Sequence, residues 1–249
     1  MAARLAAVHL LVNSVLAIAV AILVFGLWYP WPYRDVSGGR ELFYIVIAVD
    51  VICGPLLTLV IASPTKPRAE LFRDLGLIAV IQIAALGYGV WTAWQARPLY
   101  LVHEIDRFKV IALSDVDRQS LSNLPANLKP KAYGQPLVLG LREPTKAERE
   151  RVLFQSMQGG RDYAELPEFY KLYDQVSADK AIASSLPLDK FLAKYPNQQA
   201  RIAALVEQMG IEQSALRLIP VMARGDWVAI VNAEGRILEF LPGDGFPGK

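Results

Sequence analysis

A membrane protein with three N-terminal transmembrane α-helices followed by a small α+β extracytoplasmic domain is the fold class this sequence predicts, on three observations. The chain of 249 residues is 53% hydrophobic and 20% charged, and its mean hydropathy is +0.28. Its charge is unevenly spread: residues 1–96 hold 11 of the 50 Asp, Glu, Lys and Arg side chains, and residues 97–249 hold the other 39, a density typical of a soluble domain. The apolar share is gathered into three runs, at 5–27, 42–62 and 75–96. Each is long enough, at about 1.5 Å per helical residue, to cross about 30 Å of hydrocarbon. The division is therefore a three-helix transmembrane domain, 1–96, and a globular domain, 97–249.

The first run, Leu5–Leu27, has no Asp, Glu, Lys or Arg; His9, Asn13 and Ser14 are its polar residues. Ala17-Ile18-Ala19 resembles a signal-cleavage site, but the apolar run continues through Ile22, Leu23, Val24 and Phe25. A signal peptide's apolar core is about 7–15 residues, so this run reads as an uncleaved anchor. The second carries one charge, Asp50, and the third carries none. Helices satisfy their own backbone hydrogen bonds, which is what lipid demands of an open element. Arg4 and the basic loop Lys66, Arg68 and Arg73 outnumber Arg34 and Arg40 of the first loop. The positive-inside rule then puts the N-terminus in the cytoplasm and residues 97–249 outside it.

The outer domain reads as α+β. Pro98–Glu104 and Phe108–Leu113 form a hairpin around Asp106-Arg107; Ser120–Gln135 is a loop and Leu137–Leu141 a strand. Thr145 and Glu148 have capping-box spacing, opening a helix that ends before Gly159-Gly160. Leu188–Tyr195 and Asn197–Met209 read as helices, and Leu216–Met222, Trp227–Val231 and Arg236–Leu241 as a meander. Residues 242–249 read as a flexible tail.

The net charge of +2 and the even balance of 26 basic and 24 acidic residues exclude a nucleic-acid footprint. One cysteine, Cys53, excludes an internal disulfide and reads as a small apolar packer. His9 and His103 lack metal-ligand spacing, so no metal or cofactor is expected. Asp115-Val116-Asp117 could serve a metal-dependent sugar transferase, but a polar turn explains it better. Arg224-Gly225-Asp226 likewise reads as a turn. No nucleophile elbow, zinc-protease motif or P-loop is present, and the chain is not expected to be an enzyme.

Asp50 is the most informative residue. An unpaired carboxylate at mid-membrane costs about 3 kcal/mol, so it needs protonation or a partner. It can receive a cation from another protein's membrane segment, or bond within its own helix cluster, with Gln82 or Asn13 as neighbours. Gly54 shares its face at i+4 and Pro55 should kink the helix; Thr58 continues the face and can bond back to a carbonyl. Ala85, Gly89 and Ala93 form a small-residue stripe on the third helix, for internal packing or for a foreign helix. Arg97 can snorkel to headgroups, and Pro98 sets the exit angle.

These residues carry a resemblance over roughly 29–113: Tyr29-Pro30, Ser37-Gly38-Gly39, Asp50 with Gly54-Pro55-Leu56-Leu57-Thr58-Leu59, Ser63-Pro64-Thr65-Lys66, Gln82, Tyr88-Gly89-Val90, Gln95-Ala96-Arg97-Pro98-Leu99-Tyr100 and Asp106-Arg107-Phe108. The chain resembles the type IV pilin accessory proteins of the TfpX/TfpZ kind. The resemblance implies an inner-membrane chaperone of a Gram-negative bacterium, assisting assembly or surface display of its cognate type IV pilin, with the outer domain periplasmic. Its partners would be that pilin, the pilus assembly machinery and the lipid bilayer. Asp50, Gly54, Pro55, Thr58, Ala85, Gly89 and Ala93 would be the partner-binding candidates. Arg97, Pro98, Tyr100, Asp106 and Arg107 would shape the membrane exit. A membrane-anchored periplasmic sensor or ligand-binding module is the alternative reading, and a pilin-modifying membrane enzyme a weaker third.

Overall fold

Leucine, isoleucine, valine and alanine crowd the first 95 residues, and the computed structural model, which describes residues 2–63 and 66–246, turns them into helix. Among the described residues three helices are long and apolar enough to cross a membrane: α1 (Ala2–Trp28), α2 (Gly39–Ile61) and α3 (Arg68–Gln95). The third starts well before the apolar run at 75. Pro67 precedes it, where a missing N–H costs nothing. Its first turns are polar, and Lys66 reaches back to Asp74 (2.5 Å) and Glu70 (3.6 Å). Within their most apolar stretches, 18% or less of each helix is buried; Val60, Phe72 and Ile83 are 81%, 72% and 68% exposed. Such a surface calls for an apolar surrounding.

The link between α1 and α2 is tight, which explains the Ser37-Gly38-Gly39 sequence. Gly38 has a φ of 68°, and a Cβ at residue 39 would meet the Tyr29 ring at 2.5 Å. Tyr29 is fully buried and donates its hydroxyl to the Ala93 carbonyl (2.9 Å), tying the end of α1 to α3. The disturbance expected at Pro55 takes the form of a π-helical stretch, Ala48–Cys53, followed by ordinary α-helix from Gly54. Wider turns of this kind accommodate what an α-helical ladder cannot. Cys53 lies on the exposed side of α2, not among packed side chains as its apolar character suggested.

The chain divides into two compact units, Met1–Arg97 and Pro98–Lys249. In the second unit eight strands among the described residues form one mixed sheet: β1 (Pro98–Glu104), β2 (Arg107–Ala112), β3 (Leu137–Leu141), β4 (Tyr170–Leu172), β5 (Leu186–Pro187), β6 (Arg217–Met222), β7 (Asp226–Val231) and β8 (Ile237–Pro242). Their order is β4-β3-β1-β2-β6-β7-β8, with β5 paired to β6. β1 runs parallel to β3 and β2 parallel to β6; the other pairings are antiparallel. The helices Leu188–Lys194 and Gln199–Met209 pack Phe191, Ile202 and Leu205 against Leu218, Val228 and Ile230 of the meander.

Several local expectations change. The turn of the first hairpin is Ile105-Asp106, and Arg107 already belongs to β2. The stretch 120–135, expected as a loop, holds part of a helix, Arg118–Ser122, and a 3₁₀ turn, Ala126–Leu128. Asp117 caps the former by accepting from the Ser120 N–H (2.7 Å), and Asp115 accepts from the Ala112 N–H (2.8 Å). Both aspartates of the D-x-D pair thus serve the backbone. The helix Gln175–Ala183 and the strands β4 and β5 had no clear sequence pattern. Residues 243–246 are held rather than loose: the Asp244 N–H donates to the Tyr195 hydroxyl (2.9 Å), and Arg107 lies over Phe246 (4.7 Å). The rest of that stretch, 247–249, lies outside the described residues, as do Pro64 and Thr65 of the Ser63–Lys66 sequence.

Candidate functional site

The buried stripe of α2 is Asp50, Gly54, Thr58 and the following Ala62, spaced at i+4, while Ile52, Leu56, Leu57, Leu59 and Val60 face outward. This inversion, with polar residues inside and apolar residues outside, builds a polar cluster between α1, α2 and α3. His9 and Asn13 enter it from α1, one turn apart, and Gln82 enters from α3.

The hydrogen bonds form a directed chain. His9 Nε2 lies 2.6 Å from Gln82 Oε1, and Nδ1 lies 2.6 Å from Thr58 Oγ1. An amide oxygen can only accept, so Nε2 carries a proton, and Nδ1 shares a hydrogen bond with the threonine hydroxyl. Thr58 therefore bonds across to α1 instead of back onto its own helix. The Gln82 amide then donates to the Asp50 backbone carbonyl (3.1 Å), as does the Asn13 amide (2.5 Å). In a π turn a carbonyl looks to the N–H five residues on. Five residues after Asp50 is Pro55, which has none, so the two side-chain amides supply the missing donors. Gly54 makes this possible, because a Cβ there would overlap the Gln82 amide.

The Asp50 carboxylate is left over. Asn13 and Gln82 are its neighbours, as the sequence suggests, but they bond its main chain. Both carboxylate oxygens are buried and lack a hydrogen-bond partner among the described residues, and Asp50 is 7% exposed. Two clefts meet at it. One, of about 260 Å³, is almost entirely apolar and is lined by Val24, Val49, Ala85, Gly89 and Ala93 among others. The other, of about 220 Å³, runs past His9, Asn13 and Gln82. The small-residue stripe of α3 thus forms one wall of a cleft that leads to an unpaired acid. At its far end, Ala93 is tied to Tyr29. Pro55 is half-buried beside the cluster and acts through the main chain, not by contact.

The residues expected at the membrane exit pack and bond within the chain. The Arg97 guanidinium lies 3.3 Å from the centre of the Trp94 ring and the residue is 8% exposed, so it turns inward instead of snorkelling. Pro98 opens β1. Tyr100 is fully buried, donates to the Leu128 carbonyl (2.8 Å) and meets the Tyr170 ring edge-on. Asp106 and Arg107 pair with each other (2.7 Å) at the hairpin turn. Among the described residues no three His, Cys, Asp or Glu side chains come together as a metal set. His103, the other histidine, sits among the Phe108 and Tyr173 rings; burial, opposed by Asp106 and aided by Lys180, pushes its pKa down to about 4.

Three long apolar helices around a polar centre, followed by a mixed-sheet unit, define a class of two-part chain whose helical part lacks a covering of its own. The family model described as fimbrial assembly protein FimB matches residues 1–38. The fimbrial assembly protein of serogroup I from Dichelobacter nodosus is 27% identical over 248 residues, covering 98% of this chain and 96% of that protein; the serogroup E1 protein matches to the same extent. The protein of serogroups C1 and C2 is 36% identical over 115 residues, 46% of this chain and 88% of that relative. The chain belongs to this fimbrial assembly protein family. No solved structure matches it.

Proposed function

We propose that the protein is a non-enzymatic accessory factor and chaperone for its cognate type IV pilin, as the resemblance to pilin accessory proteins implies. It lies in the inner membrane with its N-terminus cytoplasmic and its mixed-sheet unit periplasmic. Membership of the fimbrial assembly family supports the general role. The observation that carries the mechanism is the buried Asp50 carboxylate, without a hydrogen-bond partner among the described residues where two clefts meet. A carboxylate so placed favours a cation or hydrogen-bond donor brought in on an apolar segment. An unassembled pilin presents such a segment, a single apolar helix. Its helix lies along the small-residue wall of α3, where close approach increases dispersion contact, and a polar group of that helix pairs with Asp50.

The His9–Gln82–Asn13 chain holds Asp50 in place by its carbonyl and leaves its side chain free for the partner. Co-purification of pilin with Asp50→Asn and Asp50→Ala variants tests this. Both should lower capture, Ala more than Asn, because the amide retains a donor and an acceptor. Unchanged capture at normal protein levels would remove the docking role of Asp50.

A further inference from the structure

The mixed-sheet unit contains a cleft of about 650 Å³ that the polar cluster does not explain. Its floor is formed partly by His103, and its walls by the loop after β3 and by the helices Lys146–Met157 and Gln175–Ala183. His103 is 6% exposed, and its Nε2 is buried with no hydrogen-bond partner among the described residues. An imidazole nitrogen kept dry and unpaired normally has a partner, from the protein, from water or from a ligand.

The wall charges are unequal. Arg142 is balanced by Glu148, with two bonds of 3.0 and 2.8 Å. Glu104 turns to the Ala164 N–H (3.4 Å). Lys180 and Arg149, from different helices, share one carboxylate, that of Glu143; Lys180 bonds it directly and Arg149 stands 3.7 Å away. At Glu143 two cations therefore face one carboxylate, while the Glu104 carboxylate balances the charge over the cleft as a whole. The Glu143 side chain is 70% exposed and sits on a loop, so it can leave easily. At the rim, Ile105 holds a φ of 56° and is 82% exposed. That conformation is unfavourable for a β-branched residue, and packing within the chain does not compensate for it, since the side chain points into solvent.

We propose that this cleft binds a carboxylate-bearing segment of the pilin head, with Glu143 as the internal stand-in for the incoming acid. The partner's carboxylate takes the place of Glu143 between Lys180 and Arg149. Its main chain lies along the cleft over the buried His103 ring, and an apolar side chain beside the acid packs on Ile105. An apolar rim next to a cationic wall suits a peptide better than a small free anion, which would gain nothing from Ile105. This inference rests on the accessory-factor reading and specifies which surface of the periplasmic unit holds the pilin and by what chemistry.

The test uses the full-length protein in cells that make the pilin. A photo-crosslinking amino acid is placed at Tyr163, on the cleft rim, and separately at Val49, beside Asp50. Pilin should be captured from both. Glu143→Gln removes the internal competitor and should raise capture at Tyr163 severalfold. Arg149→Glu combined with Lys180→Glu should lower it about tenfold, and a Lys replacing the acid of the crosslinked pilin peptide should restore it. A purely structural role for these charges predicts a loss in both directions. Capture from Val49 alone, or a fall with Glu143→Gln at wild-type protein level, overturns the cleft and leaves the accessory reading standing. Capture from neither position overturns both.

Discussion

Asp50 and Gly54 are linked through one side chain, because the same Gln82 amide bonds the carbonyl of the first and fills the space above the second. Gln82 needs the space above Gly54 to reach the Asp50 carbonyl. Gly54→Ala should therefore destabilise the helical unit by about 1–3 kcal/mol through overpacking, read as a lower melting temperature of the purified protein in detergent. His103 gives a second residue-scale test. Its folded pKa is about 4 against 6.5 for an ordinary histidine. Between these values the unfolded chain binds a proton that the folded chain refuses. Stability is full above pH 6.5, falls as the pH drops towards 4, and levels out below. The span corresponds to about 3 kcal/mol. Phe108 and Tyr173 face the ring, as do the charges of Asp106 and Lys180. Melting curves of wild type and His103→Gln from pH 7.5 to 4 should converge as the pH falls; parallel curves would refute the assignment. The stripe Asp50, Gly54 and Thr58 was legible in the sequence because a single helical period defines it. That His9 and Gln82 complete the cluster was not, because helix-to-helix register is a tertiary property. A histidine at i−4 from an asparagine within an apolar run is the signal that could have drawn attention to it.

At the scale of elements, the π stretch of α2 ends at Cys53, two residues before Pro55. Restoring an N–H there with Pro55→Ala gives the Asp50 carbonyl or its neighbour an ordinary backbone donor and makes the two side-chain amides redundant. The variant should be at least as stable as wild type in detergent but should capture less pilin, because the carboxylate is no longer held at the meeting of the clefts. Equal capture would show that the π turn is incidental. In the mixed-sheet unit, the helix Lys146–Met157 opens on a complete capping box: the Glu148 N–H donates to Thr145 Oγ1 and the Thr145 N–H to Glu148 (2.8 Å). Glu148 also holds Arg142, and these bonds lower its pKa to about 2. Thr145→Ala should cost about 1 kcal/mol. This helix and the meander were legible because capping spacing and alternating strands are local patterns. The helix Gln175–Ala183 was not. Its only starting signal is the cap of Asp174 on Ser177 (2.9 Å to the N–H), and three buried residues, Ser177, Ala178 and Ala181, give it almost no hydrophobic periodicity.

At the scale of the whole molecule, the charge division between residues 1–96 and 97–249 made a two-part chain readable from composition alone, whereas the sheet order, with its two parallel pairings, depends on contacts far apart in sequence. The reading places the mixed-sheet unit in the periplasm. Reporter fusions after residue 246 should then be active only for an enzyme that folds outside the cytoplasm, and the opposite pattern would reverse the orientation.

The central claim is that the clefts at Asp50 receive the pilin's apolar helix. Photo-crosslinking from Val49 in living cells, followed by sequencing of the crosslinked peptide, tests it most directly. The account predicts pilin as the captured protein, joined through its apolar helix, with the yield reduced by Asp50→Ala. A crosslink confined to the pilin head, or to lipid and other copies of this chain in pilin-producing cells, would contradict it.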